Sequence, residues 1–192
     1  MSRLEKQVAF IAELEKSKTI TRHNRTLDGR FENDAEHQWQ AALTAAIFKE
    51  YFPKELVIEK VMQMLLIHDL GEIYAGDTWV FDEKGKTTSH EAELLSINKS
   101  TALLPFEQAQ ELRGLWQEFE AGDSPEAHYA RVIDALVPLI NHLVVSEDNY
   151  NPEKMTAEMV LKKKAFIKEE SNELWQLVEE LVQASVEKGL YL

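Results

Sequence analysis

The sequence predicts an all-α fold, a helical bundle of six to seven helices in a single domain over residues 1–192. Three observations predict it. The 192 residues include only 7 Gly and 5 Pro, too few breakers for many short strands and their turns. Apolar side chains recur every three or four positions along most of the chain, the period of a helix with one buried face. No segment shows the apolar–polar alternation of a half-buried strand. A hydrophobic fraction of 44% with 29% charged residues is a globular balance.

The elements follow in order. Residues 3–18 place Leu4, Val8, Ile11 and Leu14 on one helical stripe. Residues 19–32 are polar, with Arg22, Arg25, Arg30 and the turn pair Asp28-Gly29, and read as a loop. A helix capped by Asn33 or Asp34 then runs to Pro53, with Trp39, Leu43, Ala46 and Ile47 as its expected inner stripe. The next helix covers about 56–70, with His68 on the same stripe as Val61, Met64 and Leu65. Residues 72–86 read as a short helical turn and a loop. Helices follow over about 87–103 and 105–120, the second started by Pro105. Gly122-Asp123-Ser124-Pro125 stops one helix and starts another, over 125–145, that is apolar nearly all round and belongs at the centre. After Asn151-Pro152, residues 156–188 read as a last helix with Leu174, Val178, Leu181 and Ser185 on one face.

Composition excludes several classes. With 21 basic and 34 acidic residues the net charge is −13, so no nucleic-acid polymer is expected as a partner, since such binders neutralise phosphates with Lys and Arg. No Cys is present, which removes disulfides and thiolate zinc sites. No membrane span and no signal-peptide core is visible, so a soluble cytoplasmic protein is expected.

Three features carry chemistry: His37 on a helix inner face, the pair His68-Asp69 at the end of an apolar helix, and Asp134 alone in the most apolar helix. Singly, each reads as a hydrogen-bonded core residue. Together they read differently, because an ionised carboxylate in an apolar helix needs a cation. Two imidazoles and two carboxylates suit a borderline divalent ion. On this reading, truncating Asp134 releases the ion and relieves the cost of a buried charge. Pro138, four residues on, deprives the Asp134 carbonyl of its helical N–H and is expected to kink the helix.

The order His37, His68-Asp69, Asp134 resembles the H…HD…D signature of the HD-domain metal-dependent phosphohydrolases. The likeness extends to Arg22, Leu27-Asp28, Arg30 and Glu32-Asn33-Asp34-Ala35-Glu36-His37 with Trp39. It also includes the run from His68 to Thr78, Leu103-Leu104-Pro105, and Leu115-Trp116-Gln117-Glu118-Phe119. These resemble the branch containing bacterial 5′-deoxynucleotidases. The motif core spans about residues 10–145, and a C-terminal helical segment spans about 155–190.

The resemblance implies an HD-domain bundle with one divalent metal ion (Co, Mn, Fe, Ni, Zn or Mg) held by His37, His68, Asp69 and Asp134. It implies catalytic roles for Glu72 and Asp77, orienting and deprotonating the attacking water, and substrate binding by Arg22 and Thr78. The implied reaction is hydrolysis of a (deoxy)nucleoside 5′-monophosphate by a homodimer, with the apolar stripe of the C-terminal helix as one candidate interface. The alternatives are hydrolysis of another small phosphate ester or nucleotide, and a metal-containing nucleotide-binding module without turnover. One departure stands out. The branch carries an aromatic residue directly after the phosphate-binding arginine, whereas His23 and Asn24 follow Arg22 here. Trp79 is the residue expected to stack in its place. His90, His128 and His142 are expected at the surface or at helix ends, with His90 a candidate supporting contact to the centre.

Overall fold

A computed structural model describes residues 1–82 and 85–192. Among these the chain forms ten α-helical stretches and one two-stranded ribbon. The helices are α1 (Arg3–Glu13), α2 (Asp34–Phe48), α3 (Ile58–Ile67), α4 (Glu72–Ala75), α5 (Lys86–Thr101), α6 (Phe106–Ala121), α7 (Pro125–Val145), α8 (Ala157–Lys164), α9 (Ile167–Glu170) and α10 (Asn172–Glu187). The strands β1 (Thr21–Arg25) and β2 (Phe31–Asn33) pair antiparallel between α1 and α2. The predicted loop over 72–86 includes residues 83 and 84, which lie outside the described residues.

Helix α7 is the axis of the bundle, packed on α2, α3, α6 and α10. Ser124 caps it by accepting from the Ala127 amide at 3.2 Å, and Pro125 occupies its first turn, where a missing N–H costs nothing. Val132, Ile133, Leu136 and Val137 meet Ala41, Val61, Met64 and Leu65 in the main core. A smaller core of Phe10, Ile67, Leu70, Ile97 and Trp116 lies under α1, α5 and α6. The turn after α3 runs between the two cores, so His68 and Asp69 are held from both sides. No helix among the described residues is long and apolar enough to cross a membrane.

Four expectations are corrected. The polar segment 19–32 is a β-ribbon, not a loop. Its period-2 pattern lies in polar residues, with Arg22 and Asn24 turned inward and Thr21, His23 and Arg25 outward. The stripe predicted to be buried on α2 faces outward: Trp39 is 62% and Ile47 67% exposed. The inner face is Asp34, His37, Ala41, Ala42 and Ala45, because only small side chains fit where α2 is clasped between α3 and α7. On α1, Leu4, Val8 and Ile11 are exposed and Phe10 makes the core contact. The last predicted helix is broken into α8, α9 and α10, since Ser171 takes an extended conformation and caps α10.

Candidate metal centre

Helix α2 begins with a capping box. Asn33 Oδ1 accepts from the Glu36 amide at 3.1 Å, and Glu36 Oε2 accepts from the Asn33 amide at 3.1 Å. This fixes the first turn, so that Asp34 and His37, three residues apart, share the inner face. The second imidazole comes from the 3-10 turn His68–Gly71 that continues α3. His68 Nδ1 donates to the Leu65 carbonyl at 2.8 Å, which turns Nε2 toward the interior of the site. Trp116 Nε1 donates to the His68 carbonyl at 2.9 Å, and the Phe119 ring packs 5.1 Å from the imidazole. Gly71 lets this turn lie against α5, where a Cβ would stand 2.9 Å from that of Glu93.

The four side chains singled out in the sequence meet across 97 positions of chain. His37 Nε2 lies 2.9 Å from Asp134 Oδ1 and 4.0 Å from Asp69 Oδ2. His68 Nε2 lies 3.2 Å from Asp134 Oδ1 and 3.1 Å from Asp69 Oδ2. One ligand atom each from His37, His68 and Asp69 fits within a 4.8 Å span. An ion bound at roughly 2.0–2.2 Å by N and O donors needs donor separations of this size. Two imidazole nitrogens and one carboxylate oxygen therefore suit a divalent first-row cation, with Asp134 Oδ1 in contact with both imidazoles. Asp134 is one-third exposed rather than fully buried, because it faces a cavity.

The electrostatics show how strongly the groups are coupled. Burial works against a charged His68, yet Asp69 and Asp134 hold its pKa well above the ordinary range. Burial pushes Asp69 up, but His68 and then Arg22 pull it well below the usual carboxylate value. Asp134 is likewise held low against burial, by His68 and His37. His37 is lowered by burial and by the charge of Arg22.

Arg22 reaches in from β1. Its Nη1 donates to Asp69 Oδ2 at 2.7 Å and stands 3.4 Å from Asp34 Oδ1 and 3.9 Å from Glu72 Oε2. Its Nε lies 3.9 Å from Glu32 Oε2. Two acids that had no role in the sequence reading thus line the site, Glu32 and Asp34. The spacing of Asp34 from His37 was the available sign. Burial, then the charge of Asp69, raises Asp34 to about 7. Burial, with Asp69 and Asp34, pushes Glu72 up to about 11. Asp77 is delivered separately: Gly76, at φ 81°, ends α4 in a conformation that L-residues rarely adopt and turns the chain into the cavity.

That cavity has a volume of about 1120 Å³. Its floor is one face of α7 carrying Arg131, Asp134, Pro138 and His142. Arg22 and Asn24 line one wall; Asp77, Thr78, Trp79 and Phe81 line another. Helix α7 continues through Pro138, whose carbonyl accepts from Asn24 Nδ2 at 3.0 Å and so ties the ribbon to the floor. Trp79 stacks on His23 at 5.2 Å and 17°, forming an aromatic shelf beside Asp77. His142 is a cavity residue stacked on Tyr191, not a surface group. His90 is exposed, stacks on Trp116 and pairs with Glu120, which lines the cavity. His128 pairs with Glu170 away from the cavity.

A family model described as "HD domain" matches residues 14–175. The 5′-deoxynucleotidase HDDC2 of Homo sapiens is 30% identical over 105 residues, covering 55% of this chain and 50% of that protein. The chain thus spans about half the length of such curated relatives. The crystal structure of a predicted metal-dependent phosphohydrolase from Magnetospirillum magnetotacticum MS-1 superposes with a TM-score of 0.91 at 37% identity, covering 99% of this chain and 96% of that one. An HD-domain phosphohydrolase from Listeria innocua shares the fold, with a TM-score of 0.70 at 19% identity over 94% and 90% of the two chains.

Proposed function

This chain belongs to the HD-domain family, and from that premise we propose that it is a metal-dependent phosphomonoesterase cleaving (deoxy)nucleoside 5′-monophosphates to nucleoside and phosphate. The observation that carries the reading is the convergence of His37, His68, Asp69 and Asp134 at the edge of a cavity that Arg22 enters and an aromatic pair borders. A divalent ion there supplies a Lewis acid to the phosphoryl group and acidifies water. Arg22, freed from Asp69, pairs with phosphate oxygens through its planar fork. The Thr78 hydroxyl donates to the same phosphate. Asp77 takes the proton of the attacking water as the P–O5′ bond breaks, and that proton passes on to the leaving nucleoside oxygen. Glu72, set beside Arg22 and Asp69, orients that water. The His23–Trp79 shelf supports the sugar or base.

The extent of the cavity, which runs from the metal centre as far as His142 and Tyr191, admits a second reading. On that reading the substrate is a phosphate ester larger than a mononucleotide. Phosphate release from a panel of nucleoside monophosphates and larger esters, with cobalt, manganese or magnesium added, separates the two. Nucleotide binding without release from any ester would leave only a binding module.

Arg22→Lys is expected to be costly, because an ammonium cannot hold two phosphate oxygens as a fork does. The expected loss is about 10–100-fold in kcat/KM, roughly 1.4–2.7 kcal/mol. Arg22→Ala with unchanged kinetics would return the residue to a structural role, as the ion-pair partner of Asp69.

We also propose that the active form is a homodimer. The C-terminal stripe offers little surface for an interface, because Leu174, Val178 and Ser185 are buried within the chain and Leu181 packs against the core. The exposed row Trp39, Leu43 and Ile47 on α2, with Leu4, Val8 and Ile11 on α1, supplies apolar surface. Leu43→Glu is expected to convert dimer to monomer in light scattering; an unchanged mass would exclude α2 from the interface.

A further inference from the structure

We propose that Glu32 is a positioning residue of the metal centre: its buried carboxylate takes the Nδ1–H of His37 and so aims Nε2 of that ring at the ion. This rests on the metal-centre reading above.

Glu32 lies in β2 and is 4% exposed. A carboxylate that deep needs partners for both oxygens. Oε1 accepts from Asn141 Nδ2 at 3.2 Å, and Asn141 is itself locked to Gln40 by two hydrogen bonds of 2.8 and 2.9 Å. Oε2 has no hydrogen-bond partner. His37, with no exposed surface, also leaves Nδ1 without a partner. These two atoms are 4.0 Å apart, and Oε2 also stands 3.9 Å from Arg22 Nε, an ion pair beyond hydrogen-bond reach. A shift of about 1 Å brings Oε2 and Nδ1 to hydrogen-bond distance.

The opposite edge of the same ring explains why this matters. Nε2 faces Asp134 and Asp69. A neutral imidazole that gives Nε2 to a cation carries its proton on Nδ1. That proton emerges opposite Glu32. The two imidazoles of the centre are therefore held differently. His68 Nδ1 donates to a helix carbonyl, that of Leu65, at 2.8 Å. His37 Nδ1 faces a charged side chain, which raises the basicity of the ring as a ligand and fixes its tautomer. The Asn141–Gln40 clamp holds the carboxylate in place, and this uses both residues without giving either a contact to the ion.

The test uses the full chain loaded with zinc, a diamagnetic ion, and nitrogen-15 NMR of the imidazoles. The expected spectrum shows His37 protonated at Nδ1, with slow exchange. A His37 ring protonated at Nε2 in the zinc-loaded wild type would overturn the proposal, and this measurement needs no variant. Zinc affinity is then measured by chelator competition in Glu32→Gln and Glu32→Ala. Gln keeps an oxygen acceptor for Nδ1–H but not the charge, so its affinity is expected to fall by about 3–10-fold, whereas Ala is expected to lose about 10–100-fold. Equal losses in the two variants, or no loss in either, would also overturn it. None of these readouts depends on turnover. A chain that releases no phosphate from any ester would sink the proposed activity and leave the Glu32 result standing.

Discussion

Asp77→Asn is expected to lower turnover by about 10²–10⁴-fold while leaving fold and metal content unchanged, a loss of roughly 3–5 kcal/mol at the barrier. The structure sharpens the reason. Two acids follow the His68-Asp69 pair, but they stand in different environments. Glu72 is packed among Asp69, Asp34 and Arg22, where burial and the two acids push its carboxyl well above the ordinary range. Glu72 does not line the cavity, so it is the less well placed of the two to be the base. Asp77 lies on the cavity wall, beyond the turn that Gly76 permits, and shares that cavity with Asp134 and Arg22. The asparagine keeps shape and removes the proton-accepting oxygen. Metal content and turnover are measured on the same sample. Loss of metal in step with activity would make Asp77 a ligand. Full activity would remove it from the proton transfer.

Asp134→Ala is expected to empty the metal centre, and also to destabilise the chelated protein. The second outcome reverses the expectation from sequence, in which a lone carboxylate in an apolar helix was a cost to be relieved. In the structure Asp134 is not alone. It stands 2.9 Å from His37 Nε2 and 3.2 Å from His68 Nε2, and His68 holds its carboxylate well below the ordinary range. Truncation removes one of the two anions that compensate the His68 charge. The relief elsewhere is small, because Asp34 and Glu72 are raised mainly by burial and by Asp69. Breaking a fully buried pair costs about 3–5 kcal/mol. With a third of this carboxylate exposed, the expected loss is about 1–3 kcal/mol, or roughly 3–10 °C in melting temperature. Full metal occupancy in the variant would exclude Asp134 as a ligand. A melting temperature that rose after chelation would restore the buried-cost argument.

Much of the fold was legible for local reasons. The bounds of α7 follow from Ser124, Pro125 and the apolar run to Val145, and the start of α2 follows from Asn33 and Glu36. Helix faces were less legible. Helix α2 is apolar on two sides, and volume favours Trp39, Leu43 and Ile47 as the inner one. Close packing against α3 and α7 selects Ala41, Ala42 and Ala45 instead. The ribbon escaped detection because its inward residues, Arg22 and Asn24, are polar, and apolar periodicity has nothing to register there.

The sequence by itself determined which donors exist and on which elements they sit: His37 one turn into a capped helix, His68-Asp69 where an apolar helix ends, and Asp134 in the central one. Those are facts of type and spacing, readable within a few residues. Only the tertiary structure decided what charge each group holds and what it faces. Arg22 meets Asp69 across 47 positions, His37 meets Asp134 across 97, and Asn141 meets Glu32 across 109. Spacing rules reach about four residues along a helix, whereas Coulomb interactions and desolvation depend on distances through space and on the water excluded between groups. The raised Glu72, the low-lying Asp134 and the carboxylate behind His37 all arise when distant segments close over them.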